Sequence, residues 1–387
     1  MFPQASSRLR LVSLPVELER LPGPAKKILG PDAPLPLRLM AAKGVIPGLK
    51  PADVVTVVAL LGENPDEKVA ETARQTFANL PAPILNGALS GELQPYVIGK
   101  LAQAYARNHD VVEKLLRLPN IEGEALEFMA AQADEHSGEL IATNEQLMLR
   151  FPITIEKLYM NKRVRMSTAD RLLELAVRNG IELRIPAFKE AAAAIRNELV
   201  SEPTPEPTFD DILFRETDKI AQRLPLEHDQ DDTHQVDDEG EEHVKEKFLP
   251  LHAQIAQMSV SQKIRAATLG NSAMRLLLVR DPNRLVASAV VRSPLMKENE
   301  AERITASRNV SEDVLRIIAL NKDFTRHYQC KLNLVTNPRT PFSFAVRLVP
   351  HLRESDLRSL AKSKNVSGAI AQTIRNQIQR KQPGKSK

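Results

Sequence analysis

The run from Arg280-Asp281-Pro282-Asn283 to Lys364-Asn365-Val366 decides the fold, because the same corner occurs in it four times. Asp281-Pro282, Asn309-Val310, Asn337-Pro338 and Asn365-Val366 each stand 28 residues after the one before. In register, Val286, Val314, Phe342 and Ile370 form one apolar column, and Val290, Ile318, Val346 and Ile374 form a second, four positions on. That spacing puts both columns on one face of a helix. Met296, Phe324 and Leu352, then Ile304, Leu332 and Leu360, make a second apolar stripe after a break. Each unit therefore reads as two packed helices.

The punctuation agrees. Asn309-Val310-Ser311-Glu312 and Asn337-Pro338-Arg339-Thr340-Pro341 combine a helix stop, a turn and a new start, with Ser311 as N-cap. Pro338 or Pro341 suits a first turn, where a missing N–H costs little. One such hairpin cannot bury both its stripes, so stacking on neighbours must complete the core. With these corners, the units resemble HEAT-type and leucine-rich-repeat-variant α-solenoids, closely over the last third of the chain. Lys263-Ile-Arg-Ala-Ala-Thr-Leu-Gly-Asn271, followed by Arg275-Leu-Leu-Leu-Val-Arg-Asp-Pro-Asn283, resembles a block found in bacterial repeat proteins of no assigned biochemical role. The 28-residue unit is shorter than usual HEAT or armadillo repeats. The resemblance implies a fold and a binding surface, and brings no catalytic residue with it.

Weaker versions run from Pro51 to Gly180. Pro51-Ala-Asp-Val-Val-Thr-Val-Val-Ala-Leu-Leu61 reads as a helix, and Asn64-Pro65 opens the next with Asn64 as cap. Further starts are expected near Pro81, Gln94, Glu122, Asn144, Pro152 and Ser167, and residues 186–200 could add one more helix. Residues 1–50 are rich in proline and read as an irregular lead-in, with a short helix at Leu35 to Lys43.

Composition supports helices over a β-sandwich. The chain is 42% hydrophobic but only 4% aromatic, so Leu, Ala and Val carry the packing. No run of about 18 apolar residues suggests a membrane span, and the first 20 residues lack a signal-peptide core. With one cysteine, Cys330, no internal disulfide is available. These features point to the cytoplasm.

Charge is strongly segregated behind a net +4. Residues 201–246 hold 16 Asp and Glu against 4 Lys and Arg, whereas 250–387 hold 24 Lys and Arg against 9 Asp and Glu. Ser201-Glu-Pro-Thr-Pro-Glu-Pro-Thr208 and the polar run after Asp229 predict a disordered acidic linker, since such a segment buries too little apolar surface to offset its ordering entropy. Within it, Phe209, Ile212, Leu213 and Phe214 form an apolar cluster that is either a partner-docking peptide or a patch packed on a neighbouring helix.

The expected architecture is thus all-α. A Pro-rich lead-in (1–50) precedes an irregular HEAT-like domain (51–200). The acidic linker (201–247) joins this to a basic repeat domain (248–380), which ends in a basic tail (381–387).

No Walker loop, Rossmann glycine fingerprint, nucleophile elbow or zinc-protease helix occurs. His228, His234 and His243 with their neighbouring Asp residues fit no zinc spacing. Cys330 reads as a packed small residue. No catalytic, metal-binding or cofactor-binding residue is assigned, and no enzyme activity is expected.

The basic third carries the stronger signal. Arg280, Arg308 and Lys364 precede three of the four corners, with Thr336 breaking the column; Arg339 lies just past its corner, and Arg347 and Arg375 are an equivalent pair. Stacked along one edge, these would make a basic ridge able to track phosphates. The first functional expectation is a scaffold for a protein partner. The second is duplex-DNA binding through that ridge, and a distant third is a HEAT-like enzyme acting on DNA. The tethered acidic stretch would compete for the ridge, so deleting residues 225–246 should tighten anion binding at low salt.

Overall fold

Prolines and Asx residues set most helix starts. Pro51 occupies the first turn of Pro51–Leu61, and Asn108, Asp134, Asn144, Asn271, Asn283 and Ser311 each accept a backbone N–H at the start of a helix. The computed structural model describes residues 16–196, 198–200, 202–224, 226, 232–363 and 366–381. Twenty-five α-helices occur among them, with a two-stranded antiparallel hairpin, His234–Val236 paired with Glu242–Val244. Of the described residues 66% are helical and 2% lie in strands, an all-α protein in which short helices pack on their near neighbours in sequence, compatible with a helical repeat.

Contacts divide the chain into two units, Met1–Val164 and Arg165–Lys387. In the first, the expected starts at Pro51, Pro81, Gln94, Glu122, Asn144 and Pro152 all open helices. One cap is corrected. Asp66, not Asn64, accepts the Lys68 and Val69 N–H groups, while Asn64 takes the N–H of Asp66 in an Asx turn before it. Two helices went unread, His109–Leu116 and Glu135–Ala142, both capped by Asx residues that no proline marks. The lead-in holds the expected helix at Leu35–Ala42 and another at Gly23–Leu29; residues 1–15 lie outside the described residues.

The second unit begins earlier than the sequence suggested. The helices Met166–Arg178 and Phe188–Ile195, assigned from sequence to the first domain, pack with the helices that follow them. Two rows then alternate. Val260–Leu269, Arg284–Val291 and Glu312–Leu320 pack in succession, and Ser272–Leu278, Glu298–Ala306 and Tyr328–Thr336 make a second succession beside them. In the second 28-residue unit, which begins at Asn309, the second helix is interrupted at His327, giving Lys322–Arg326 and Tyr328–Thr336. The first apolar columns are buried at Val286, Val290, Val314, Ile318, Ile370 and Ile374, whereas Phe342 is half exposed.

The expected disordered linker is corrected where it is described. Thr208 and Asp211 form a reciprocal capping box that opens the helix Phe209–Arg223. Asp211 also accepts from the N–H and hydroxyl of Ser167, so one carboxylate ties two helix starts together. Leu213 and Phe214 are buried, and the Arg265 guanidinium sits 5.3 Å from the Phe214 ring.

The corners also measure the distance between units. Asn337 accepts the Arg339 N–H on Oδ1 and donates from Nδ2 to the carbonyls of Thr305 and Ser307, at 2.7 and 2.8 Å. In the other unit, Asn161 does the same. It accepts from Arg163 and donates to the carbonyls of Ala130 and Ala133 at 3.0 and 2.8 Å. Each side chain closes its own turn and satisfies helix-end carbonyls about one repeat earlier. The helices Ser272–Leu278 and Glu298–Ala306 are joined differently, through buried charge. Glu300 accepts from Arg275 Nε and Nη2, both at 2.7 Å, and from the Ser272 hydroxyl, while Arg275 Nη1 reaches the Gly270 carbonyl.

Candidate functional site

Arg280 lies two residues beyond the helix Ser272–Leu278, just before the first 28-residue corner. Its Nη1 donates to the Leu276 carbonyl at 2.8 Å, which fixes the guanidinium against the helix end. The other two nitrogens face the hairpin. Nε meets Glu242 at 2.9 Å and Nη2 meets Asp232 at 3.1 Å, with the arginine side chain only 8% exposed.

The Glu242 carboxylate is held from three directions. Besides Arg280, the Ser307 hydroxyl lies 2.7 and 2.9 Å from its two oxygens, and the Arg308 backbone N–H donates to Oε1 at 3.2 Å. Ser307 and Arg308 precede the second corner, as Arg280 precedes the first. A guanidinium, a hydroxyl and a main-chain amide from successive corners thus converge on one carboxylate, the donor set of an anion receptacle.

Electrostatics follow this geometry. Burial pushes the Asp232 carboxyl up, but the charge and hydrogen bond of Arg280 outweigh it and hold the group below the usual carboxylate range. Burial likewise opposes ionisation of Glu242, and the Ser307 hydroxyl and Arg280 reverse the balance. His234 is pushed down to about 4 by burial and by the nearby Arg280 charge, so it is neutral at pH 7. Its Nδ1 lies 2.9 Å from the buried Thr233 hydroxyl.

The hairpin itself has little apolar anchorage. Val236 is 66% exposed, Val244 is only half-buried, and the strands span three residues each. Outside the pairing, Lys245 N–H donates to the Thr233 carbonyl, and Asp237 accepts from His243 Nε2 at 2.8 Å at the exposed turn. Two carboxylates and their partners on the repeat corners make the described polar attachment of this element.

The predicted basic ridge is interrupted. Arg280 is buried and engaged by the acidic segment, so its charge is not presented to a phosphate backbone while the hairpin is docked. Arg308, Arg339, Arg347 and Arg375 are exposed; the Arg375 guanidinium donates to the Ala361 carbonyl at 3.4 Å. Lys364 lies outside the described residues, as do His228 and residues 382–387. The apolar cluster is split between two faces: Leu213 and Phe214 pack inward, while Phe209 and Ile212 are 68% and 40% exposed. The sequence missed Glu242, Asp232 and Ser307. The only signal available was the match of opposite charges between an acid-rich stretch and a corner arginine.

Elsewhere the chemistry is sparse. Among the described residues no three His, Cys, Asp or Glu side chains gather as metal ligands, and no helix is long and apolar enough to cross a membrane. Burial pushes the Cys330 thiol up to about 11, which leaves it protonated and poorly nucleophilic. Neither a family model, nor a curated protein, nor a solved structure matches the chain.

Proposed function

We propose that this protein is a non-enzymatic scaffold, a HEAT-like α-solenoid whose C-terminal repeats bind an extended acidic segment of a partner protein along their corner edge. The observation that supports this reading is the seat of Glu242, where successive corners offer donors to one carboxylate on an extended strand. Repetition makes this edge suited to a strand, because equivalent corners recur along it. Arg308 and Arg339 stand exposed near the next corners and extend the positive edge. The interruption of the ridge at Arg280 weighs against duplex DNA, which needs a run of accessible cations to neutralise successive phosphates.

The test uses the full chain carrying Asp232→Asn and Glu242→Gln, which weakens the internal occupant and leaves the receptacle intact. A labelled peptide of residues 232–245 should bind this variant, with affinity falling as salt rises, and Arg280→Met should abolish it. A labelled 20-base-pair duplex should bind much more weakly. Absence of peptide binding, or tighter binding of the duplex with a steep salt slope, refutes the reading.

A further inference from the structure

The receptacle is already full, and its occupant is part of the same chain. We infer that the hairpin 232–245 is a displaceable plug, so that the partner-binding edge is self-occupied at rest and opens when a competing acidic strand takes the place of Glu242. This deepens the scaffold reading and rests on it.

Three features of the hairpin make it suited to leaving. First, a two-stranded hairpin has little stability of its own in water. This one spans three residues per strand, so its folded form depends on what it docks against. Second, its docking is polar. Asp232 and Glu242 engage Arg280, Ser307 and the Arg308 N–H, while of the two strand valines Val236 faces solvent and Val244 is only half-buried. A partner strand with carboxylates at the same spacing would replace each of these bonds in kind. Displacement then leaves no buried guanidinium unpaired, which would otherwise be strongly unfavourable. Third, the turn at Asp237–Glu241 is exposed, with Gly240 at φ 86°, and offers a free end from which the strands can peel.

Tethering sets the size of the effect. A segment on a short tether meets its site at an effective concentration on the order of 1 mM, so an intrinsic affinity near ~10 µM would be weakened about 100-fold by the plug. The same arithmetic gives the site selectivity. A single stray carboxylate cannot compete with two tethered ones, whereas a strand bearing several can. Asp232 and Glu242 both engage Arg280, so losing either hold weakens the other, and displacement should proceed as one step.

The deciding experiment compares the wild-type full chain with the Asp232→Asn, Glu242→Gln full chain, using the labelled 232–245 peptide as probe in both. The variant should bind at least tenfold more tightly than wild type. In parallel, backbone hydrogen exchange of the unmodified wild-type chain is followed with and without saturating unlabelled peptide. Bound peptide should speed exchange at Lys245, whose N–H donates to Thr233 within the docked element. Equal binding by both chains, or unchanged exchange at Lys245 with peptide bound, overturns the plug and leaves the scaffold reading standing. Failure of the variant to bind refutes the scaffold reading, and the plug with it.

Discussion

Glu300 offers the sharpest test of how the repeats are held together. Its carboxylate has no exposed surface and accepts two bonds from Arg275, itself 3% exposed, and one from Ser272. Desolvating such a pair consumes much of its Coulombic gain, so its presence is not a source of large net stability. Removing one partner is different. Glu300→Ala strands a buried guanidinium against the Gly270 carbonyl and leaves a cavity between two packed helices. The expected cost is about 3–5 kcal/mol, and a unit of this size should then melt roughly 6–20 °C lower. Replacing both members by apolar groups, Arg275→Met with Glu300→Leu, should recover most of the loss, because no charge remains without a partner. Urea unfolding of the full chain followed by far-UV circular dichroism measures both variants. If Glu300→Ala costs less than about 1 kcal/mol, or the double variant is no more stable than the single, the buried charge is not what joins these helices.

Three further outcomes follow from the same geometry. Gly270→Ala would place a Cβ 2.4 Å from the Ala266 carbonyl and 2.8 Å from Met274 Sδ, so it should destabilise by about 1–3 kcal/mol in the same urea assay. Asn337→Ala and Asn161→Ala each leave two helix-end carbonyls unserved, and each should cost about 1–3 kcal/mol; a loss below about 0.5 kcal/mol would mean that water serves those carbonyls equally well. Asp170 is pushed up to about 7, first by burial, with its Ser261 hydrogen bond opposing and the Glu198 charge adding. Between pH 4 and 7 the folded state therefore holds a proton that the unfolded chain has lost, and this group's contribution to stability falls as pH rises through that window. Asp170→Asn should flatten that slope and raise stability at pH 8, read as urea midpoints across pH 4.5 to 8. Asp232 and Glu242, held low, act with the opposite sign, losing their contribution only as pH falls through their depressed values.

The repeat was legible because its signal is local and periodic. Columns such as Val286, Val314 and Ile370 are fixed by helical spacing inside each unit, and burial at all three follows from that alone. The acidic stretch was expected to compete for the ridge, but it was misread as disordered because composition sums charge without regard to which partner each acid meets. Asp232 and Glu242 look like solvated acids until Arg280, 48 and 38 residues away, is placed beside them. The helix Phe209–Arg223 was hidden for a related reason. Its capping box was written plainly in Thr208-Phe-Asp-Asp211, but proline and acid on either side outweighed it in a window average. The corner site was half visible. The sequence placed Arg280 and Arg308 at equivalent corners, but Arg280 turned inward to the hairpin, and it is the backbone of Arg308 rather than its guanidinium that meets Glu242.

The back-reaching asparagines constrain how such an array can change its length. Asn337 and Asn161 each find their acceptors 28 to 32 residues upstream, so the side chain works as a fixed ruler laid across one unit. Inserting or deleting a few residues within a unit moves the helix end away from the amide that serves it. Duplicating a whole unit preserves every such span and adds one more. Chains of this design should therefore grow and shrink in steps of a complete helix pair, with each added step supplying another corner to the edge.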